Sequence, residues 1–231
     1  MKTIHCKHSK KSSGFTIIEL LIATLIFSTI LTLIAYGFID LNKAYYKGLT
    51  ASNTQTVADK IVSDISQDIQ FSGSAYTTIA PKPPSVGFCV GSRRYSYLLG
   101  WQVVQGIPNA IKHKTNHALI SDVGPGNCTI AQNVQSFPVV LPTQDTEMMA
   151  PNMRLVKLTI TQILPATSNS YLLDVRVAYG DDDLLYSPSS PLNLFGGPGG
   201  TIEPDAACKI QAGSQFCDVS EVSTVVKRRI N

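Results

Sequence analysis

Charge is what this chain has least of. Asp, Glu, Lys and Arg make up 15% of its 231 residues, against roughly 25% in an average soluble domain. Hydrophobic residues make up 44%. Together these values exclude a disordered chain, which needs high charge and few apolar residues, and argue against a coiled coil. Catalytic signatures are missing as well: no G-x-S-x-G, H-E-x-x-H or phosphate-loop pattern occurs, so no motif argues for an enzyme. There is no C-x-x-C pair, which argues against a structural zinc site. No internal repeat is evident. The net charge of +3 is unevenly placed. Lys2, Lys7, Lys10 and Lys11 stand before residue 15 with no acid among them, and beyond Gly14 there are 15 bases against 16 acids. A body so close to neutral argues against a general electrostatic grip on nucleic acid. The length allows one sizeable domain or two small ones.

What the chain has in abundance is a long apolar run, residues 15–39, with one charge, Glu19. At 1.5 Å per residue a helix of that length measures roughly 37 Å, enough to cross a bilayer core of about 30 Å. Lysines before the run and few after it predict an N-terminus inside and a body outside. A secretory signal peptide has a shorter apolar core followed by a small-residue cleavage site. No A-x-A-like site follows here. A plain signal anchor is the simplest reading, and it leaves Glu19 unexplained, because a carboxylate in a membrane span costs a few kcal/mol at depth and less near the interface.

The helix is predicted to continue past the membrane. Val57, Ala58, Ile61, Val62, Ile65 and Ile69 fall on one stripe of an amphipathic helix, with Asp59, Lys60, Asp64 and Asp68 largely off it. Gly73 is the expected stop, giving a helix over about 15–71, on the order of 85 Å. Gly37 and Gly48 each lower helix propensity by about 1 kcal/mol relative to Ala and are expected bend points. From Ala80 the character changes. Pro81, Pro83 and Pro84 mark a linker, and β-like runs follow at 86–90, 95–104, 118–121, 134–141, 155–163, 172–179 and 219–226. Alternation is clearest in 155–163 and 172–179, with 165–170 between them reading as a hairpin loop. Residues 180–205, rich in Gly, Pro, Asp and Ser, are expected to be a long loop. A helix followed by antiparallel strands predicts an α+β domain whose helix stripe covers one face of the sheet.

The segment Lys10-Lys11-Ser12-Ser13-Gly14-Phe15-Thr16-Ile17-Ile18-Glu19-Leu20-Leu21-Ile22 resembles the class III signal of type IV pilins and type II secretion pseudopilins. The resemblance implies a prepilin peptidase that cuts between Gly14 and Phe15, methylates Phe15 and leaves a mature chain of 217 residues. It also implies storage in the inner membrane, followed by incorporation into a helical filament with other pilins. The organisation is then a leader over 1–14, a membrane and filament-core helix over 15–39, its amphipathic continuation over 40–73 and a β-rich exported domain over 74–231. The physics is compatible with this. Gly14 lets backbone lie close in a peptidase cleft. The freed ammonium of Phe15 on one subunit offers Glu19 of a neighbour a partner, and an unpaired carboxylate in an apolar bundle is costly enough to set register.

Two later segments, Thr56–Gly73 and the C-terminal Gly213–Cys217 with Ser223–Ile230, resemble W-type minor pilins and J-type pseudopilins. The expected role is a minor pilin, a structural subunit without enzymatic activity that primes or joins a pilus and sometimes contacts a surface ligand. A J-type pseudopilin of type II secretion is the alternative, and a plain signal-anchored exported domain a further one. Glu19 speaks against a K-type tip pseudopilin, where that acid is usually absent. No proline stands near Gly37, so the kink of many major pilins is not expected.

Cys6 leaves with the leader. Cys89, Cys128, Cys208 and Cys217 remain on the exported side, where disulfides persist, and three pairings are possible. The preferred one joins Cys208 to Cys217 in a short local loop, and Cys89 to Cys128; buried free thiols are the other reading.

Weaker signals have simpler accounts. His113 and His117 stand four apart, as metal ligands on a helix do, but in a polar window without a nearby acid, which reads as a solvated loop. Asp181, Asp182 and Asp183 are a candidate calcium cluster that lacks EF-hand spacing and reads more simply as a turn. Lys227, Arg228 and Arg229 are candidate phosphate contacts for DNA and more simply a solvated end. Asn127-Cys128-Thr129 fits a glycosylation sequon, a pattern common by chance. Trp101, Tyr95 and Tyr97 read as packing rather than a sugar platform. Two disulfides in the mature chain predict no titratable thiol in the denatured protein purified from its native compartment; finding four would reject the pairing.

Overall fold

In the computed structural model the described residues are 14–73, 76–79, 81, 83–107, 113–123, 133–164, 169–190, 193–196 and 202–229. The leader before Gly14, Cys128 with its sequon and the hairpin residues 165–168 lie outside them. The chain divides into two units, Met1–Ala44 and Tyr45–Asn231, and one helix, α1 (Ile17–Phe71), contributes to both.

In the first unit the helix is apolar on every side, long and apolar enough to cross a membrane, and none of its most apolar stretch is buried by protein. The hydroxyls of this stretch do not break the pattern. Thr24 donates to the Leu21 carbonyl at 2.9 Å, Ser28 to Leu25 at 3.0 Å, Thr29 to Ile26 at 2.8 Å and Thr32 to Ser28 at 2.8 Å. Each polar side chain is satisfied by its own helix, which removes the cost of leaving it unpaired in lipid.

The second unit is an α+β domain. Among the described residues twelve strands follow the helix: β1 (Thr77–Thr78), β2 (Val86–Val90), β3 (Arg93–Tyr97), β4 (Gln102–Val103), β5 (Lys114–Thr115), β6 (Leu119–Val123), β7 (Thr146–Glu147), β8 (Met153–Gln162), β9 (Ser170–Tyr179), β10 (Leu185–Tyr186), β11 (Ala207–Cys208) and β12 (Asp218–Lys227). They form two five-stranded sheets, ordered β1-β2-β3-β6-β7 and β12-β9-β8-β4-β5, and a β10-β11 ribbon. Pairing is antiparallel except between β4 and β5. The helix stripe expected from the sequence is the buried one: Ala58, Ile61, Val62, Ile65 and Ile69 pack with Leu155, Leu158, Leu173, Val175 and Val177 in the main core. Thr54 continues the stripe and is fully buried because its hydroxyl donates to the Thr50 carbonyl at 2.8 Å.

Two local expectations differ from the structure. Residues 95–104 are two strands in two different sheets, not one. At Gly100 the backbone has φ +81°, and a Cβ there would lie 2.8 Å from Ile202, so only glycine lets the chain turn from β3 toward β4. Residues 134–141 are not a strand. Asn133 caps a 3-10 turn, Val134–Ser136, by accepting from the Gln135 N–H, and Pro138 and Pro142 have no N–H for a ladder. α1 is helical through both Gly37 and Gly48, so neither glycine ends the helix.

Strict alternation also fails in β8. The register shifts between Leu155 and Lys157, so Leu155 faces Val177 and Lys157 faces Arg176. This bulge places both Leu155 and Leu158 in the main core and sends Val156 to a second cluster with Ala178, Leu185, Ile202, Ala206 and Cys217. The Gly- and Pro-rich segment after β9 therefore supplies apolar cover for the outer face of the second sheet. Replacing fully buried Ile65 with alanine should cost about 2–5 kcal/mol, while Val225→Ala, on a side chain 62% exposed, should cost under about 1 kcal/mol; urea midpoints of the two variants check the contrast.

Candidate functional site

The N-terminal site is built by the helix start. Gly14, Phe15 and Thr16 precede the first helical residue, Ile17, and Phe15 is 79% exposed. Exposed, non-helical backbone is what a peptidase needs at a scissile bond. Thr16 is the N-cap. Its Oγ1 accepts from the Glu19 N–H at 3.3 Å, and the Glu19 carboxylate accepts from the Thr16 N–H at 3.0 Å and from its hydroxyl at 2.8 Å. This is a capping box, two helix-end donors satisfied reciprocally. Glu19 thus has a partner beside its own helix start, and the Thr-x-x-Glu spacing is the local signal of it inside the apolar run. Both bonds that the carboxylate accepts fall on Oε2.

The second site is the base of the globular unit. Cys208 and Cys217 are disulfide-bonded with their Cα atoms 5.7 Å apart. The loop they close grips the helix: Lys47 Nζ donates to the Cys217 carbonyl at 2.7 Å, Thr50 Oγ1 to the Gln215 carbonyl at 3.2 Å, and the Phe216 ring lies 5.5 Å from that of Tyr46. Ser220, just beyond, donates to Gln55 at 2.7 Å. Cys89 is also disulfide-bonded; Cys128, its expected partner, lies outside the described residues.

The remaining candidates separate. His113 stacks on Phe195, centroids 4.0 Å apart, beside Trp101 at 5.5 Å. His117 is buried elsewhere, between the Pro138 carbonyl (2.9 Å from Nε2) and the Glu147 carboxylate (3.3 Å from Nδ1). The two histidines therefore serve different clusters. Among the described residues no three His, Cys, Asp or Glu side chains converge on a metal position. Asp181 takes a hydrogen bond from Gln102 at 3.1 Å and pairs with Lys114 at 3.6 Å, and Asp182 pairs with fully buried Arg154. Two of the three acids are thus engaged by protein groups. Arg228 and Arg229 are tied down by backbone bonds to Asn169 and Gln70, and the Arg229 guanidinium lies 5.7 Å over the Phe71 ring. Tyr95 is core, its hydroxyl donating to Asp68, and burial with that bond raises its pKa. Burial also pushes half-buried Tyr97 up, to about 12.

Buried polar groups escaped sequence reasoning because their partners are distant in the chain. Arg94 and Asp122, directly opposite on β3 and β6, form a buried bidentate pair. Arg154 also donates to the Gly180 carbonyl at 2.8 Å. Across β8, β9 and β12, Lys157 pairs with Asp174 and Glu221. Burial opposes ionisation of Asp174, but hydrogen bonds from Lys157 and Ser223 outweigh it and lower its pKa. A polar cleft lined by Asp64, Asp68, Arg93 and Ser121 opens beside the helix. Its groups are engaged with one another, Arg93 reaching Ser121 at 3.1 Å and Asp68 at 3.6 Å.

One comparison with known proteins is positive. The family described as the prokaryotic N-terminal methylation motif matches residues 9–35. Comparison with curated proteins gave no match, and comparison with solved structures gave none. The motif is the prepilin-type processing signal, so the N-terminal segment is type IV pilin-like, and the signal's family is structural rather than enzymatic.

His117 yields a pH dependence. Burial disfavours its charge, yet the Glu147 carboxylate and the Pro138 carbonyl outweigh that and raise its pKa above the ordinary 6.5. Glu147 is fixed for this role by the N–H groups of Ala118, Leu119 and Met149 at 3.1, 3.1 and 2.9 Å. A raised folded-state pKa gives stability that is fully present below pH 6.5 and lost as pH rises through the folded value. Urea midpoints should fall across that window in the native chain and stay flatter in His117→Gln.

Proposed function

We propose that this chain is a minor pilin, processed between Gly14 and Phe15, methylated on Phe15 and assembled into a type IV pilus. What carries the reading is the combination of the methylation motif over residues 9–35 with a helix whose apolar side chains from Ile17 to Leu41 find no cover in their own chain. Before assembly, lipid covers that surface, with the N-terminus cytoplasmic and the body outside. In the filament, neighbouring helices replace lipid, and the driving term is packing rather than the hydrophobic effect.

Glu19 acts at the moment of exchange. Its Oε2 stays on Thr16 as the helix cap, and Oε1 faces the Phe15 ammonium of a neighbour. Removing the leader creates that ammonium, so cleavage and register are chemically linked. The domain after Tyr45 faces outward, where it meets other minor pilins or a surface ligand. The aspartate-bearing helix end, Thr56–Gly73, fits a J-type pseudopilin of a secretion system equally well. The genes beside this one decide between them, a retraction ATPase for a pilus and a secretin with secretion genes for the alternative.

The intact mass of the mature protein should correspond to a chain beginning at methylated Phe15; an uncut Met1 would favour a signal anchor. Glu19→Val should leave processing largely intact and reduce recovery in sheared filaments at least tenfold, and normal recovery would sink the register role.

A further inference from the structure

The disulfide-closed loop 208–217 carries two apolar side chains with little folded over them. Ile210 is 103% exposed and Phe216 is 44% exposed. The loop sits at one particular end of the globular unit. Its contacts with the helix are to Tyr46, Lys47 and Thr50, the first turns of that unit. From there β12 runs away, Asp218 pairing with Tyr179 and Lys227 with Ser170. Past the far end of β12, the Arg229 N–H donates to the Gln70 carbonyl, near the last residue of the helix. Leu164, 84% exposed and just past the end of β8, lies at that far end, about 30 Å away at ~3.3 Å per strand residue.

Connectivity ties the loop's end to the apolar run. Tyr46 follows Ile39 by seven residues. Even a fully extended chain of that length reaches only about 25 Å, so the loop stays near the point where the apolar run ends however the two units are arranged. The residues at this junction suit a lipid surface. Tyr45 and Tyr46 are 63% and 46% exposed, and tyrosine is enriched where a bilayer meets water.

We infer that the Cys208–Cys217 loop docks on the headgroup region of the bilayer that holds the subunit before assembly. Ile210 and Phe216 enter the boundary between headgroups and acyl chains, flanked by the tyrosine rings, as apolar side chains of interfacial segments do. The inference rests on the reading that residues 15–39 cross the membrane. It assigns the loop a job in storage: holding the globular unit against the surface from which the subunit is later extracted. The disulfide matters because it fixes the loop that carries both side chains.

The test uses the mature full-length chain in vesicles of phosphatidylcholine with one-third phosphatidylglycerol. Trp101→Phe removes the single tryptophan while keeping a ring, and Ile210→Trp, Leu164→Trp or Phe27→Trp then supplies one reporter. Lipids brominated high on the acyl chain should quench Ile210→Trp and Phe27→Trp by at least half and Leu164→Trp by less than a tenth. Adding Phe216→Ser to Ile210→Trp should reduce the quenching at least twofold. If Ile210→Trp is quenched no more than Leu164→Trp while Phe27→Trp is quenched, docking is overturned and the membrane span stands. If Phe27→Trp is not quenched, the membrane reading itself fails. Shielding of Ile210→Trp from aqueous iodide without bromolipid quenching indicates a protein neighbour and overturns the inference. Quenching unaffected by Phe216→Ser shows an introduced tryptophan inserting on its own and overturns it too.

Discussion

An apolar surface that the chain cannot cover by itself governs this protein. From Phe15 to Leu41 the large apolar side chains are largely exposed, and water is not a tolerable neighbour for them. Two environments satisfy that surface, lipid and other helices, and the proposed assembly carries it from the first to the second. The hydroxyls of Thr24, Ser28, Thr29 and Thr32 bond to their own helix, so these four side chains bring no unsatisfied group to either environment.

The same helix meets a different constraint from Tyr45 onward. There it must be amphipathic, because one stripe faces a sheet and the other faces outward. Thr54, Ala58, Ile61, Val62, Ile65 and Ile69 lie on the buried side. The sheet's own outer face is closed at one end by the segment after β9, held through Arg154 to Asp182, Arg176 to the carbonyls of Pro204 and Ala206, and the Cys208–Cys217 bond. Leu185, Ile202 and Ala206 of that segment thereby join Val156 in a second small core.

Glu19 shows how one residue serves two readings. Within its helix it is the reciprocal half of a capping box with Thr16, a role that any helix start can use. In an assembled filament it is the acid proposed to meet a neighbour's ammonium. The carboxylate has two oxygens, and the cap occupies Oε2, so the roles are compatible. A substitution there touches helix capping and register together.

What the sequence by itself determined are features carried by local chemistry: the N-terminal methylation motif over residues 9–35, the apolar run, the helix stripe from Ala58 to Ile69, the alternation in β9 and the short-range Cys208–Cys217 link. Each is a pattern of near neighbours whose period reports its environment. Tertiary structure alone decided what depends on residues far apart in the chain. The bulge at Val156 reverses the alternation of β8 because two cores compete for its side chains. Gly100 turns the chain between sheets because Ile202 occupies the space a Cβ would need. His117 is a buried, charge-favouring histidine rather than a solvated one because Glu147, thirty positions on, is held by three backbone N–H groups beside it. Long-range contacts are absent from any local window, so burial and pairing of this kind appear only once the chain has folded.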